Sequence, residues 1–163
     1  MTTRWRPLSS DADKAEQAAY NYALRLLAGR EQNRRALKQK LAARGYETAV
    51  IASVLDRLVA ADYLSETRFA ESFIRSRINK GEAPWLAAKR AKEKGAEASA
   101  VERALAAAEA EFDAEASARA LIESRDPAGR RFEEQRVWQR QARFLQSKGY
   151  RSEVILRVLH RDG

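Results

Sequence analysis

Arg44-Gly45-Tyr46-Glu47-Thr48-Ala49-Val50-Ile51-Ala52-Ser53-Val54-Leu55 decides the fold, because the chain runs through the same pattern twice more. Lys94-Gly95-Ala96 and Lys148-Gly149-Tyr150 repeat its start, with glycines 50 and 54 residues apart. Five and six residues past each glycine stand Val50-Ile51, Ala100-Val101 and Val154-Ile155. Nine and ten past it stand Val54-Leu55, Ala104-Leu105 and Val158-Leu159. Paired apolar positions four and five apart define one face of a helix. A sequence that returns to itself at such a period is an array of small supersecondary units.

Working outward, each glycine follows a basic stretch: Arg34 to Arg44, Lys89 to Lys94, and Arg136 to Lys148. Glycine just past a helix end supplies the positive φ that a Cβ resists, and the preceding Arg or Lys complements the negative helix terminus. A further helix precedes each basic one, over Tyr20–Ala28, Thr67–Asn79 and Ala114–Arg125. Ser65 before Glu66 suits an N-cap. Gly81 and Pro84 punctuate the second unit, and Asp126-Pro127-Ala128-Gly129 punctuates the third. Nothing alternates as a strand would. The expected fold is all-α: about nine helices in three tandem three-helix, helix-turn-helix-like repeats, elongated and curved. The expected divisions are an N-terminal extension over 1–19 and repeats over 20–62, 63–110 and 111–163. The expected core comprises Leu24, Leu27, Leu37, Leu41, Ile51, Leu55 and Leu58, then Phe69, Phe73 and Leu105, then Leu121, Leu145, Val154, Ile155 and Leu159.

Charge points to a polyanionic partner. The 163 residues carry a formal charge of +8, and Arg supplies 23 of 31 basic side chains. Arg offers a planar fork that matches phosphate or carboxylate. Residues 25–44 hold seven basic side chains against one acid, whereas residues 96–129 hold three against eight. Cysteine is absent, so neither a disulfide framework nor a thiolate metal site is expected, and the reducing cytoplasm is the expected compartment. Met1 to Ser10 lack the apolar core of a signal peptide, and no run of about 18 apolar residues suggests a membrane span.

One segment carries a family likeness. Leu64-Ser65-Glu66-Thr67-Arg68-Phe69-Ala70, then Phe73-Ile74 and Arg75, is similar to the central motif of the RecX family. Ala23-Leu24-Arg25-Leu26-Leu27 with Arg30, then Leu37, Leu41, Gly45, Gly81, Pro84 and Lys94-Gly95, extend the likeness over residues 20–160. The resemblance implies three tandem three-helix repeats and a regulator of the RecA recombinase. It implies binding to RecA and to the groove of RecA–DNA filaments, with inhibition of recombinase, ATPase and coprotease activities, and so a part in homologous recombination, DNA repair and the SOS response. In the second repeat Ala87, Ala91 and Ala96 stand where the family has larger apolar residues, and Trp85 and Leu86 are expected to refill that volume.

The candidate contacts fall in three groups: Arg30, Arg34, Arg35, Lys38 and Arg44; Arg75, Arg77, Lys80, Lys89, Arg90 and Lys94; and Arg136, Arg140, Arg143 and Lys148. Arg34 and Lys38, like Arg136 and Arg140, are one helical turn apart. Such groups meet backbone phosphates or acidic side chains without reading bases, which implies weak, salt-sensitive contact with single- or double-stranded DNA. A merely solubilising surface would carry the same charges. Trp5, Trp85 and Trp138 could stack on bases, although Trp138 with Ala142 and Leu145 fits a buried stripe. Catalysis is poorly supported. His160 has no orienting partner in sequence, Ser72 and Ser76 have no nearby histidine, and Glu109, Glu111, Asp113 and Glu115 read as a solvated helix face. The glycines make no phosphate-cradling loop. No catalytic residue, metal, cofactor, small-molecule substrate or membrane partner is expected. A stand-alone helix-turn-helix repressor and a nucleoid protein remain the competing classes.

Overall fold

Ser10 starts the first helix. Its hydroxyl accepts from the Asp13 N–H at 3.2 Å, and the Asp13 carboxylate accepts from the Ser10 N–H at 3.2 Å, a reciprocal cap that satisfies two otherwise orphaned donors. A computed structural model describes residues 10–160. Among them are nine α-helices and no strand: α1 Asp11–Gly29, α2 Arg34–Ala43, α3 Thr48–Ala60, α4 Glu66–Asn79, α5 Pro84–Glu93, α6 Ala98–Glu111, α7 Ala114–Arg125, α8 Gln135–Ser147 and α9 Ser152–Leu159. A 3-10 turn, Arg130–Phe132, precedes α8.

The all-α expectation holds. The first helix, however, begins at Asp11 instead of Tyr20, so residues 11–19 of the expected extension are helical. Its early turns are rich in Ala and charge, which blurs the periodic signal, yet Ala19 is wholly buried. Ser65 caps α4 by accepting from the Arg68 N–H at 3.2 Å. The three repeated glycines have φ of +88°, +95° and +90° at Gly45, Gly95 and Gly149. At Gly45 and Gly149 the turn closes as a Schellman motif: Tyr46 N–H donates to the Leu41 carbonyl and Tyr150 N–H to that of Leu145.

The chain divides into two compact units. One reaches to Phe69 and takes in Lys94–Glu97; the other holds Ala70–Glu93 and the residues from Ala98 onward. In the first unit α1 and α2 pack on α3 around Leu37, Leu41, Ile51, Val54, Leu55 and Leu58. In the second unit α7 and α8 pack on α9 around Ile122, Leu145, Tyr150, Ile155, Val158 and Leu159. Its other buried residues are mostly small: Ala70, Ala87, Ala88, Ala91, Ala100 and Ala104, with Ile74 and Val101. Leu24, Leu27 and Leu121 line their cores half-buried, and Phe69, Phe73 and Leu105 are likewise only half-buried. Trp85 and Leu86 both lie against the Gly149 turn, and Trp85 stays 44% exposed.

Asp126 builds the break after α7. Its buried carboxylate accepts from the N–H groups of Arg130 at 3.0 Å and Arg131 at 3.1 Å, and from Arg131 Nη1 at 2.9 Å. Burial pushes this carboxyl up, but the hydrogen bonds and charge from Arg131 and Arg130 outweigh it and hold the pKa below the usual carboxylate value. A carboxyl with a depressed native pKa adds stability above its unfolded value, and that stability disappears as pH falls through the native value. Asp126→Asn is therefore expected to lower stability at neutral pH and to flatten its decline below about pH 4. Urea melts from pH 3 to 7 check this; parallel curves for the two proteins would contradict it.

Candidate functional site

Positive charge concentrates on the middle helix of each three-helix group. α2 and α8 carry no acidic residue, and α5 carries only Glu93, at its last position. The third helices are different. Arg57 of α3 adjoins Asp56 in sequence and stacks on Tyr20 at 4.2 Å, and Arg157 of α9 pairs with Glu115 at 3.3 Å. On α6, Arg103 is outnumbered by Glu102, Glu109 and Glu111.

The structure separates the fifteen candidate cations by what they already touch. In the first group, Arg34 reaches Asp56 at 2.8 Å across the surface. Arg35 lies over Gly95, where its Cδ would stand 2.8 Å from an added Cβ. Arg44 stacks on Tyr22 at 4.1 Å. Arg30 and Lys38 are exposed. Neighbouring Lys40, which sequence reasoning left out, donates to Gln32 Oε1 at 3.0 Å; partial burial, then the Arg30 charge, lowers its pKa.

Two members of the second group face inward. Arg77 donates through Nε to Glu82 Oε2 at 3.0 Å and through Nη2 to Oε1. Arg90 Nε lies 2.9 Å from the same carboxylate. Glu82 itself is only 4% exposed, so these guanidiniums neutralise a buried acid and hold the α4–α5 loop. Charge counting along the chain cannot separate such an internal triad from a surface patch. Arg75 borders an open groove of about 400 Å³ floored by Ile74, Ile78, Ala104 and Ala108. Lys80, Lys89 and Lys94 are exposed.

The third group is the most available. Arg136, Arg140 and Arg143 are all exposed and recur at four- and three-residue steps, which aligns them on one face. That face lies opposite the buried Val137, Gln141 and Leu145. Gln139 and Gln146 flank it, also exposed. Among the described residues none of these three arginines has an ion-pair partner. Lys148 is set apart: its Nζ approaches the Lys80 carbonyl at 3.5 Å and lies 5.8 Å from the Phe144 ring centre.

The remaining candidates take structural places. The Trp85 indole N–H donates to the Gly149 carbonyl, and Trp138 packs half-buried on the core formed by α7, α8 and α9. Trp5 lies outside the described residues. His160 is an exposed C-cap of α9. Sequence reasoning missed Arg68, which joins Glu31 at 3.1 Å to Asp62 at 2.9 Å, and Gln141, a buried acceptor for Arg125 Nε at 3.1 Å. Among the described residues no group of three or more His, Cys, Asp or Glu could hold a metal ion, and no helix is long and apolar enough to cross a membrane.

Family models place these helices. Residues 19–58 match the model of the RecX first three-helix domain, and residues 113–159 match that of the RecX third three-helix domain. The chain is 40% identical over 146 residues to the regulatory protein RecX of Halorhodospira halophila, covering 90% of this chain and 89% of that one. The chain belongs to the RecX family. A second RecX relative, from Pseudomonas entomophila, is 35% identical over 137 residues, covering 84% of this chain and 86% of its own length. The crystal structure of RecX from Lactobacillus salivarius superposes with a TM-score of 0.72 at 19% identity, covering 90% of this chain and 95% of that one. A crystal structure of another regulatory protein RecX gives 0.69 at 22% identity, covering 90% and 72%. At these identities the structural likeness speaks for the fold alone. The RecX family is one of regulatory proteins, and the α8 arginine face lies within its third three-helix domain.

Proposed function

We propose that the chain regulates the RecA recombinase by binding RecA and RecA–DNA filaments. In this proposal it restrains the filament's recombinase, ATPase and coprotease activities, and thereby DNA repair and the SOS response. Membership of the RecX family supports the choice of partner. The observation that carries the binding mode is the face of Arg136, Arg140 and Arg143, three aligned exposed guanidiniums that no described acid neutralises. Such a face suits phosphates or acidic side chains along a nucleoprotein surface. Repeats over 20–62, 63–110 and 111–163 would each add a weak contact, and linked weak contacts gain avidity. The chain does no chemistry in this proposal; any effect on ATP turnover passes through RecA in the cytoplasm.

A helix-turn-helix repressor would load cations onto its recognition helix, the second helix of the motif. Here the third helices α3, α6 and α9 are charge-balanced or acidic, and the middle helices are basic. That distribution favours a backbone-tracking surface over base readout. The test is RecA ATP turnover on single-stranded DNA at substoichiometric ratios of this protein. Turnover is expected to slow at moderate salt, with the effect weakening as salt rises. Unchanged turnover at every ratio would remove the proposal; a RecA-independent operator shift that survives high salt would install the repressor in its place.

A further inference from the structure

Two consecutive glycine turns of this chain are covered in the same way. At the first, the Asn33 side-chain amide donates to the Lys94 carbonyl at 3.1 Å, and Arg35, two residues on, lies over Gly95. At the second, the Ala83 backbone N–H donates to the Lys148 carbonyl at 2.8 Å, and Trp85, two residues on, lies over Gly149 with Leu86 beside it. Asn33 and Ala83 immediately precede α2 and α5. The two junctions share one recipe. The residue before a helix gives a hydrogen bond to the carbonyl of the basic residue before a glycine. A long flat side chain in that helix's first turn then covers the glycine, where an added Cβ would stand 2.8 Å from Arg35 at one site and a tight 3.0 Å from Leu86 at the other.

The third copy of this turn is vacant. Arg44 and Gly45 correspond to Lys94-Gly95 and Lys148-Gly149, and Gly45 has the same positive φ, +88°. Among the described residues, no atom beyond the adjoining chain lies within 4 Å of the place where a Gly45 Cβ would stand. No described group donates to the Arg44 carbonyl. The Arg44 guanidinium is folded onto Tyr22, so the turn offers its backbone.

We infer that the Gly45 turn is a docking site for the first turn of a helix from the protein partner, one with a hydrogen-bond donor just before the helix and an Arg or Trp two residues later. Among the described α-helix starts, only those of α2, α5 and α8 have an Arg or Trp two residues after the residue that precedes the helix, and none of the three is free to fit. Those of α2 and α5 are engaged. That of α8 is closed, because the Glu134 N–H donates to the Arg130 carbonyl at 2.9 Å and the Val137 N–H to the Glu134 carbonyl at 3.0 Å. Head-to-tail pairing of two copies therefore lacks its donor half, and a foreign helix is the occupant. The site extends an interface the chain already uses twice, and it rests on the proposal that the partner is the RecA filament.

Gly45→Asn tests it in the full chain. Asn tolerates the left-handed conformation, and its side chain enters space that no other described residue fills but that an incoming helix needs. The variant is expected to melt within a few degrees of the parent and to bind naked single-stranded DNA equally. Its affinity for RecA–single-stranded DNA filaments is expected to fall about tenfold or more, the loss typical of a central contact. Equal filament binding by parent and variant overturns this inference alone; a parent that ignores the filament overturns the RecA proposal as well. A photo-crosslinker at exposed Thr48 gives a second readout that does not depend on the glycine. Adducts in the first turn of a RecA helix are expected, and adducts confined to DNA or to a second copy of this chain would overturn the inference.

Discussion

Changing Arg136, Arg140 and Arg143 together to glutamate is expected to abolish the proposed restraint of RecA while leaving the protein folded. The three side chains are exposed and have no ion-pair partner among the described residues, and α8 stays in place through Val137, Gln141 and Leu145 on its other face. Substitutions at such positions usually shift stability by no more than about 0.5 kcal/mol each. Binding is a different matter. If each guanidinium displaces one phosphate counterion, the logarithmic salt slope should become shallower by about 2 to 3 for the triple variant, at roughly 0.7 to 0.9 per contact. Filament co-sedimentation across a salt series measures this directly. A triple variant that inhibits like the parent at every salt concentration would show that the α8 face is only a solubilising surface.

The matching experiment on α2 should behave otherwise, and the contrast is diagnostic. Arg34 reaches Asp56, Arg35 lies on Gly95, and Arg44 stacks on Tyr22. Reversing those charges removes packing by the aliphatic stems as well as charge. Loss of activity there would come with loss of stability, whereas on α8 it would not.

Helix placement was legible wherever punctuation and periodicity agreed. Pro84 at the first position of α5 and the glycines after α2, α5 and α8 set boundaries because few residues fit those backbone conformations. The start of α1 was obscured because its buried face there is alanine, whose weak apolar signal resembles a polar linker. The packing of Trp85 was illegible for a different reason. Its ring answers to Gly149, 64 residues away, and local periodicity carries no information about such a partner. The candidate site was legible as a set of charges but not as a surface. Arg140 and Arg90 look alike in sequence, each in a basic helix among small and polar neighbours, and only the fold reveals that one faces solvent and the other a buried acid.

That acid gives the largest stability effect expected. Glu82 is 4% exposed and meets both Arg77 and Arg90. Removing the shared member of a buried ionic set leaves like charges facing each other without compensation, at a cost of about 3–5 kcal/mol for fully buried groups. Side-chain exposures of 28% and 40% for Arg77 and Arg90 let water offset part of this. Glu82→Ala is therefore expected to cost about 2–3 kcal/mol, or roughly 5–10 °C in melting temperature for a chain of this size. Trp85, just past the loop that Glu82 anchors, should report the change in fluorescence-monitored urea melts. Arg77→Ala should follow the same course: a lowered melting point, with filament binding retained at temperatures where the variant is still folded. If Arg77→Ala instead kept its melting point and lost filament affinity, as is expected of the triple variant on α8, the guanidinium would belong to the interface and Glu82 would merely aim it.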